Sequence, residues 1–203
     1  MNLFSIYGGV SITDKIINKI VETCHYLYKR KLVPGKAGNV SYKFNHAGNF
    51  MVAITSSGSS FKTIGTENII ITDLNGKIIL GNDKPSSELQ MHLAIYDKRP
   101  DLNCIIHTHS PITAGFSFSE KKLRWLEGFG EIKKEYVSVV DYYPPGSYDL
   151  ANYVSKEMEN ENFVLLKNHG LIAADKNLDE AALLVEFIEE TAKTQLVNYI
   201  LSL

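Results

Sequence analysis

Apolar residues recur along the chain with two spacings, one typical of helices and the other of strands. Between residues 11 and 30 they fall at steps of three and four, which predicts an amphipathic helix with Ser11 as its N-cap. Further helices are predicted over residues 87–98, after Pro111, over 147–158 and over 178–200. The pattern therefore places helices at both ends of the chain and in its middle.

Short runs of β-branched and aromatic residues lie between these helices. They predict strands over residues 40–44, 50–55, 69–72, 77–80, 104–109, 136–140, 163–167 and 171–174. Short turns, such as the one at Asn75-Gly76, favour antiparallel pairing of neighbouring strands. Because the central runs are apolar throughout, we expect helices on both faces of the sheet. The prediction is an α/β sandwich on a mostly antiparallel sheet.

Composition and charge narrow the class of protein. The chain has 203 residues, 22% of them charged, and a formal net charge of -2. These values predict one globular domain over residues 1–203. The acidic balance argues against general nucleic-acid binding, and no apolar run is long enough for a membrane-spanning helix. Two cysteines are too few for a disulfide framework, and without a signal-peptide pattern the expected location is cytoplasmic.

Three histidines are candidate metal ligands. His107 and His109 lie two residues apart on a predicted strand, so both rings project from the same face. Two neutral imidazoles suit a borderline cation such as Zn²⁺, although such a pair also occurs with one ring packed and the other in solvent. His169 lies on a turn between two apolar strands, where Gly170 is expected to let the backbone turn. His169 is either an ordinary hairpin residue or a third ligand.

Several polar segments are candidate anion sites. Ser87, with Gln90 three residues on, fits a capping box, and Ser86 and Ser87 at a helix start also suit a phosphate. Glu88 in the first turn favours the helix dipole, and His92 four residues later is expected on the helix surface. The turns at Gly38-Asn39 and Ser57-Gly58 offer backbone and hydroxyl donors, although turns of this kind are common. No nucleotide-binding motif is present. Cys24 and Cys104 are expected to be buried thiols.

The order of these segments resembles that of a known family. Gly38-Asn39-Val40-Ser41, Ser57-Gly58, Pro85-Ser86-Ser87-Glu88, His107-Thr108-His109 and Asn168-His169-Gly170-Leu171 are similar to motifs of the class II aldolase/adducin family. The resemblance covers residues 11–200. It implies a three-layer α/β/α sandwich and a homotetramer with active sites at subunit interfaces.

The resemblance also implies roles for individual residues. His107, His109 and His169 would bind Zn²⁺, and Glu88 would be a catalytic acid/base that also ligates the metal in the empty site. The substrate phosphate would be held by Gly38, Asn39, Ser57, Gly58, Ser86 and Ser87. We expect a raised pKa for Glu88, because its task is to move a proton in a partly dry site.

The implied activity is zinc-dependent cleavage of a ketose 1-phosphate. The products would be dihydroxyacetone phosphate and a small aldehyde, formed through a metal-stabilised enediolate. Residues 122–130 contain no tyrosine where aldolases of the family place one, so the aldehyde stays open. The alternatives are methylthioribulose-1-phosphate dehydratase, with Glu127 or Glu131 as its acid, tetronate-phosphate decarboxylase, ribulose-phosphate 4-epimerase and a non-catalytic adducin-like module.

Overall fold

The computed structural model of the chain describes residues 11–126 and 134–203. Glu127 and Glu131 lie outside these residues. The helices are α1 (Ile12–Lys29), α2 (Leu89–Lys98), α3 (Pro111–Ser117), α4 (Tyr148–Glu157) and α5 (Leu178–Leu201). The strands are β1 (Asn39–His46), β2 (Asn49–Thr55), β3 (Ile69–Asp73), β4 (Ile78–Leu80), β5 (Cys104–Thr108), β6 (Val139–Val140), β7 (Phe163–Leu166) and β8 (Gly170–Asp175). Each predicted helix and strand is present, although the strand predicted over 136–140 is reduced to two residues.

Within the described residues, the eight strands form one sheet in the order β4-β3-β2-β1-β5-β8-β7-β6. Neighbouring strands are antiparallel except for β6 and β7, which run parallel. The central strands β1, β5 and β8 bring together segments that are far apart in the sequence. The mostly antiparallel sheet of the prediction is confirmed.

Two apolar cores cover the two faces of the sheet. Ile106 and Cys104 of β5 pack in the core beneath α1, α3 and α5, whereas Ile105 packs in the core beneath α2 and α4. Alternate residues of a strand point to opposite faces, so His107 shares the face of Ile105. Full burial of an isoleucine side chain contributes about 1.5–3 kcal/mol. The three-layer arrangement and the burial of Cys24 and Cys104 are confirmed.

Local hydrogen bonds fix where the helices begin. Ser11 forms the predicted cap of α1 in a capping box with Asp14. The predicted cap of α2 is wrong: the helix begins at Leu89, and Ser87 is exposed. The reason is tertiary, because the backbone N–H of Ser86 donates to the Thr55 carbonyl and keeps this segment extended beside β2.

The helix α5 carries a buried acidic residue that fixes the start of α3. The Glu189 carboxylate accepts hydrogen bonds from the backbone N–H groups of Ile112 and Thr113 and from the Thr113 hydroxyl. It thereby satisfies two of the N–H groups that a helix start leaves without internal partners. None of the helices within residues 11–126 and 134–203, α5 included, is both long enough and apolar enough to cross a lipid bilayer.

Candidate active site

Three histidine rings converge at the centre of the sheet. His107 lies in β5, His109 directly follows that strand, and His169 lies on the turn between β7 and β8. Because β5 pairs with β8 in antiparallel register, with Thr108 opposite Leu171, this turn lies beside His109. One ring nitrogen of each histidine lies within 4.8 Å of the others. The three rings therefore offer a common centre to a single ion.

Close backbone packing explains the glycine that follows His169. A Cβ at Gly170 would lie 2.4 Å from the Thr108 carbonyl oxygen, so only glycine allows β8 to approach β5 this closely. The predicted reason, that Gly170 makes the turn, is wrong: the left-handed conformation belongs to Asn168, with φ of 55°. Asparagine is one of the few residues that adopt this conformation readily.

The nitrogens of the cluster fit a divalent cation. The Nδ1–H of His107 donates to the Leu171 carbonyl over 2.9 Å, which leaves the lone pair of its Nε2 facing the cluster. That Nε2 lies 2.9 Å from Nε2 of His109, a separation at which two lone pairs repel unless a hydrogen or a cation lies between them. Burial lowers the pKa of both His109 and His169 to about 4, so both rings are neutral, the form that binds metals.

Glu88 lies against this cluster. Its Oε2 lies 3.2 Å from His107 Nε2 and accepts a 2.9 Å hydrogen bond from Asn39 Nδ2. Its Oε1 lies 3.6 Å from His169 Nε2 and is buried without a hydrogen-bond partner within the described chain. Burial alone would raise the pKa of Glu88, but His107, His169 and the Asn39 amide hold that pKa below its ordinary value. The expectation of a raised pKa is wrong, because the two imidazoles and the Asn39 amide together outweigh desolvation.

His92 is buried rather than on the helix surface, which corrects the prediction. Its Nε2 lies 2.5 Å from Asn39 Oδ1, and its Nδ1 lies 2.7 Å from Ser41 Oγ. Burial lowers the pKa of His92 to about 3, so the ring is neutral. The four-residue spacing places His92 on the same helix face as Glu88, and the two-residue spacing places Asn39 and Ser41 on one strand face, but neither spacing shows that the two faces meet.

The residues predicted to hold a phosphate lie on neighbouring segments. Ser57 and Gly58 line an open cleft of about 540 Å³ together with Lys36 and Lys84. Ser57 N–H donates to the Lys84 carbonyl, so this turn lies directly beside residues 84–86. The sequence analysis did not single out Lys84, although a basic residue before a serine pair is a usable signal.

The other predicted phosphate residues lie closer to the histidines. Ser86 is buried, and its Oγ accepts a 3.2 Å hydrogen bond from the backbone N–H of Glu88. Asn39 is buried opposite His107 in the pairing of β1 with β5. A Cβ at Gly38 would lie 2.7 Å from the His107 carbonyl oxygen, so glycine allows β1 to begin against β5. Gly38 therefore has a structural task beside the histidine cluster.

Comparisons with known proteins agree with this architecture. Residues 18–196 match the family model of the class II aldolase and adducin N-terminal domain. A Methanococcus maripaludis protein named L-fuculose phosphate aldolase is 39% identical over 186 residues, which cover 92% of this chain and 97% of that protein. A Haemophilus influenzae protein named 3-oxo-tetronate 4-phosphate decarboxylase is 31% identical over 179 residues, covering 86% of this chain and 83% of that protein.

A solved structure titled L-fuculose 1-phosphate aldolase has the same fold. It superposes with a TM-score of 0.83 at 31% identity, covering 92% of this chain and 87% of that one. The predicted enzyme class, an aldolase-type lyase, is confirmed by these similarities. The chain belongs to the class II aldolase and adducin N-terminal domain family.

Proposed function

We propose that this protein is a zinc-dependent aldolase that cleaves a ketose 1-phosphate similar to L-fuculose 1-phosphate. The products are dihydroxyacetone phosphate and a small aldehyde. The observation that carries the proposal is the set of three histidine nitrogens within 4.8 Å of one another, with the buried Glu88 carboxylate beside them. The similarity to proteins named as fuculose phosphate aldolases supports this class of substrate.

The histidines and Glu88 have separate tasks in this reaction. His107, His109 and His169 hold the zinc ion, since three neutral imidazoles form a common zinc ligand set that leaves a position for substrate. Bound zinc supplies a Lewis acid that stabilises the enediolate produced when the carbon–carbon bond breaks. With its lowered pKa, Glu88 is a carboxylate at neutral pH, and its unpaired Oε1 would take up the proton that the substrate hydroxyl loses as the aldehyde forms and deliver it to the enediolate carbon.

Donors for the phosphate come from three segments. Ser57 and Gly58 line the cleft with Lys36 and Lys84, whose ammonium groups favour an anion. The Ser86 hydroxyl already accepts from Glu88 N–H, so its own hydrogen is free to donate outward. With Gly38, Asn39 and Ser87, these groups bind the substrate phosphate and thereby hold its reacting carbons beside the histidines.

A decarboxylase is the second candidate. The 31% identical relative named as a 3-oxo-tetronate 4-phosphate decarboxylase favours it, because a metal-stabilised enediolate also serves loss of carbon dioxide. The cytoplasmic location and the homotetramer with interfacial sites belong to the proposal as expectations from the family resemblance. Their tests are fractionation of the native cell and light scattering of the purified protein.

Product analysis tests the proposal. The zinc-loaded protein is incubated with L-fuculose 1-phosphate and related ketose 1-phosphates, and dihydroxyacetone phosphate is measured with a reducing coupling enzyme. We expect release that a chelator abolishes, that zinc restores and that borohydride leaves intact, since no lysine Schiff base is involved. Loss of carbon dioxide or water without dihydroxyacetone phosphate would move the assignment to a sister activity.

Metal content tests the histidine cluster separately. We expect one zinc per chain in the wild type, loss of zinc and activity in His107→Ala, and unchanged zinc in the control His46→Ala. Substoichiometric zinc that His107→Ala leaves unchanged would favour a non-catalytic assembly module.

A further inference from the structure

Two rows of buried polar side chains face each other between α2 and β1. Glu88, His92 and Tyr96 recur at four-residue intervals, which places them on one face of α2 and the residue before it. Asn39 and Ser41 are two residues apart in β1, so they point to the same face of the sheet. All five are at most 5% exposed. Burying a polar group without a hydrogen-bond partner is costly, so we expect the polar groups of the two rows to bond to one another in the arrangement that leaves the fewest of them unpaired.

The direction of each hydrogen bond follows from the atoms that face each other. The Asn39 amide places its nitrogen, which only donates, against Glu88 Oε2 and its oxygen, which only accepts, against His92 Nε2. His92 therefore carries its hydrogen on Nε2, and its bare Nδ1 accepts from the Ser41 hydroxyl.

The hydrogen bonds at the far end of this network, around Tyr96, have a defined direction as well. Because the Ser41 hydrogen points to His92, the Tyr96 hydroxyl supplies the hydrogen for the 2.8 Å contact with Ser41 Oγ. The Asn103 carbonyl lies 3.2 Å from the Tyr96 hydroxyl and shares this single hydrogen as the more distant acceptor. This series of hydrogen bonds thus runs from the backbone just before β5 to the Glu88 carboxylate beside the histidine cluster.

Fixing the Asn39 amide matters because its two orientations have nearly the same shape. A flipped amide would place Oδ1 against Glu88 Oε2, so two acceptors would face each other and the carboxylate would turn away. The Nε2–H of His92 excludes the flip, since it bonds only to the amide oxygen. Glu88 Oε2 is thereby held, and Oε1 stays aimed at the site without a partner.

We propose that His92, held by Ser41 and Tyr96, is a positioning residue that fixes the Glu88 carboxylate through the Asn39 amide. This inference rests on the proposed function, in which Glu88 moves the substrate proton. His92 itself touches neither substrate nor metal, so its effect falls on the proton-transfer step rather than on substrate binding.

Kinetics of variants test the proposal. His92→Leu removes the Nε2 donor, and we expect kcat for dihydroxyacetone phosphate release to fall about 10–100-fold, with KM and zinc content within about threefold of wild type. In His92→Gln the side-chain amide donates to Asn39 again, and about tenfold of the loss should return. Tyr96→Phe, which keeps His92, should lower kcat by about three- to tenfold.

The matched control is Ile95→Ala, which removes a fully buried side chain from the same helix and leaves the polar rows intact. Its folded fraction should retain wild-type kcat. If His92→Leu loses no more activity than Ile95→Ala, or if His92→Gln loses as much as His92→Leu, the proposal is wrong.

An NMR measurement on the full chain needs no substrate. Nitrogen-15 spectra should find His92 protonated only at Nε2, and the Asn39 side-chain amide hydrogens should exchange slowly with solvent. In His92→Leu, or in Tyr96→Phe if the first variant does not fold, that exchange should accelerate. Protonation at Nδ1, or unchanged exchange, overturns the positioning role. A wild type that cleaves no ketose phosphate but gives the expected spectra contradicts only the proposed function.

Discussion

The close approach of β1 to β5 makes a quantitative prediction for Gly38→Ala. Gly38 has φ of 85°, and a Cβ there would lie 2.7 Å from the His107 carbonyl oxygen, about 0.7 Å inside an ordinary van der Waals contact. The left-handed conformation alone costs alanine about 1–2 kcal/mol. Moving the His107 backbone to relieve the overlap adds about 1–3 kcal/mol, the usual cost of overpacking. We expect a loss of about 2–5 kcal/mol in the free energy of unfolding.

Gly35→Ala is the matched control, since Gly35 has φ of 57° and no atom within 4 Å of the added Cβ. It should cost only the conformational part, about 1–2 kcal/mol. Urea unfolding followed by circular dichroism measures both variants on the metal-free protein, and zinc titration of the folded forms should find weaker binding only in Gly38→Ala. Equal stability loss in the two variants would refute the close approach to His107.

Two further predictions concern charge inside the fold. In the folded protein, burial depresses the pKa of His92 to about 3 and the pKa values of His109 and His169 to about 4. Below the ordinary histidine pKa of about 6.5, the unfolded chain therefore binds more protons than the folded protein does. The metal-free protein should therefore lose stability as the pH falls from 6.5 towards 4, with about 2 kcal/mol from His92 alone at pH 5; equal free energies of urea unfolding at pH 7 and 5 would contradict this. Glu189→Ala should cost about 2–4 kcal/mol by leaving the start of α3 unpaired, whereas Glu190→Ala, which breaks an exposed pair with Lys193, should cost no more than about 0.5 kcal/mol in the same unfolding assay.

The elements of the fold were largely predictable from local patterns. The strands follow runs of β-branched residues, and the Asn75-Gly76 turn sets the β3–β4 pair as expected. The start of α2 was not predictable in this way, because the pairing of Ser86 with Thr55 overrides the capping signal at Ser87. Contacts between distant segments decided that boundary.

The candidate site, too, was only partly predictable from local sequence patterns. The two-residue spacing of His107 and His109 predicts a shared face, and the family resemblance brings His169 to it. The burial of His92 does not follow from periodicity, since α2 packs against both the sheet and α4 and has little free surface. Likewise, the lowered pKa of Glu88 depends on neighbours supplied by β5 and the β7–β8 turn.

The three-nitrogen cluster also constrains when an ion can enter the protein. His107 and His109 are synthesised before His169, which is made only with the β7–β8 hairpin that completes the middle of the sheet. Until β8 has docked on β5, a nascent chain offers two nitrogens and holds an ion weakly. If the proposed ion binds there, its tight capture requires the docked β7–β8 hairpin, and a chain truncated before that hairpin should bind the metal only weakly.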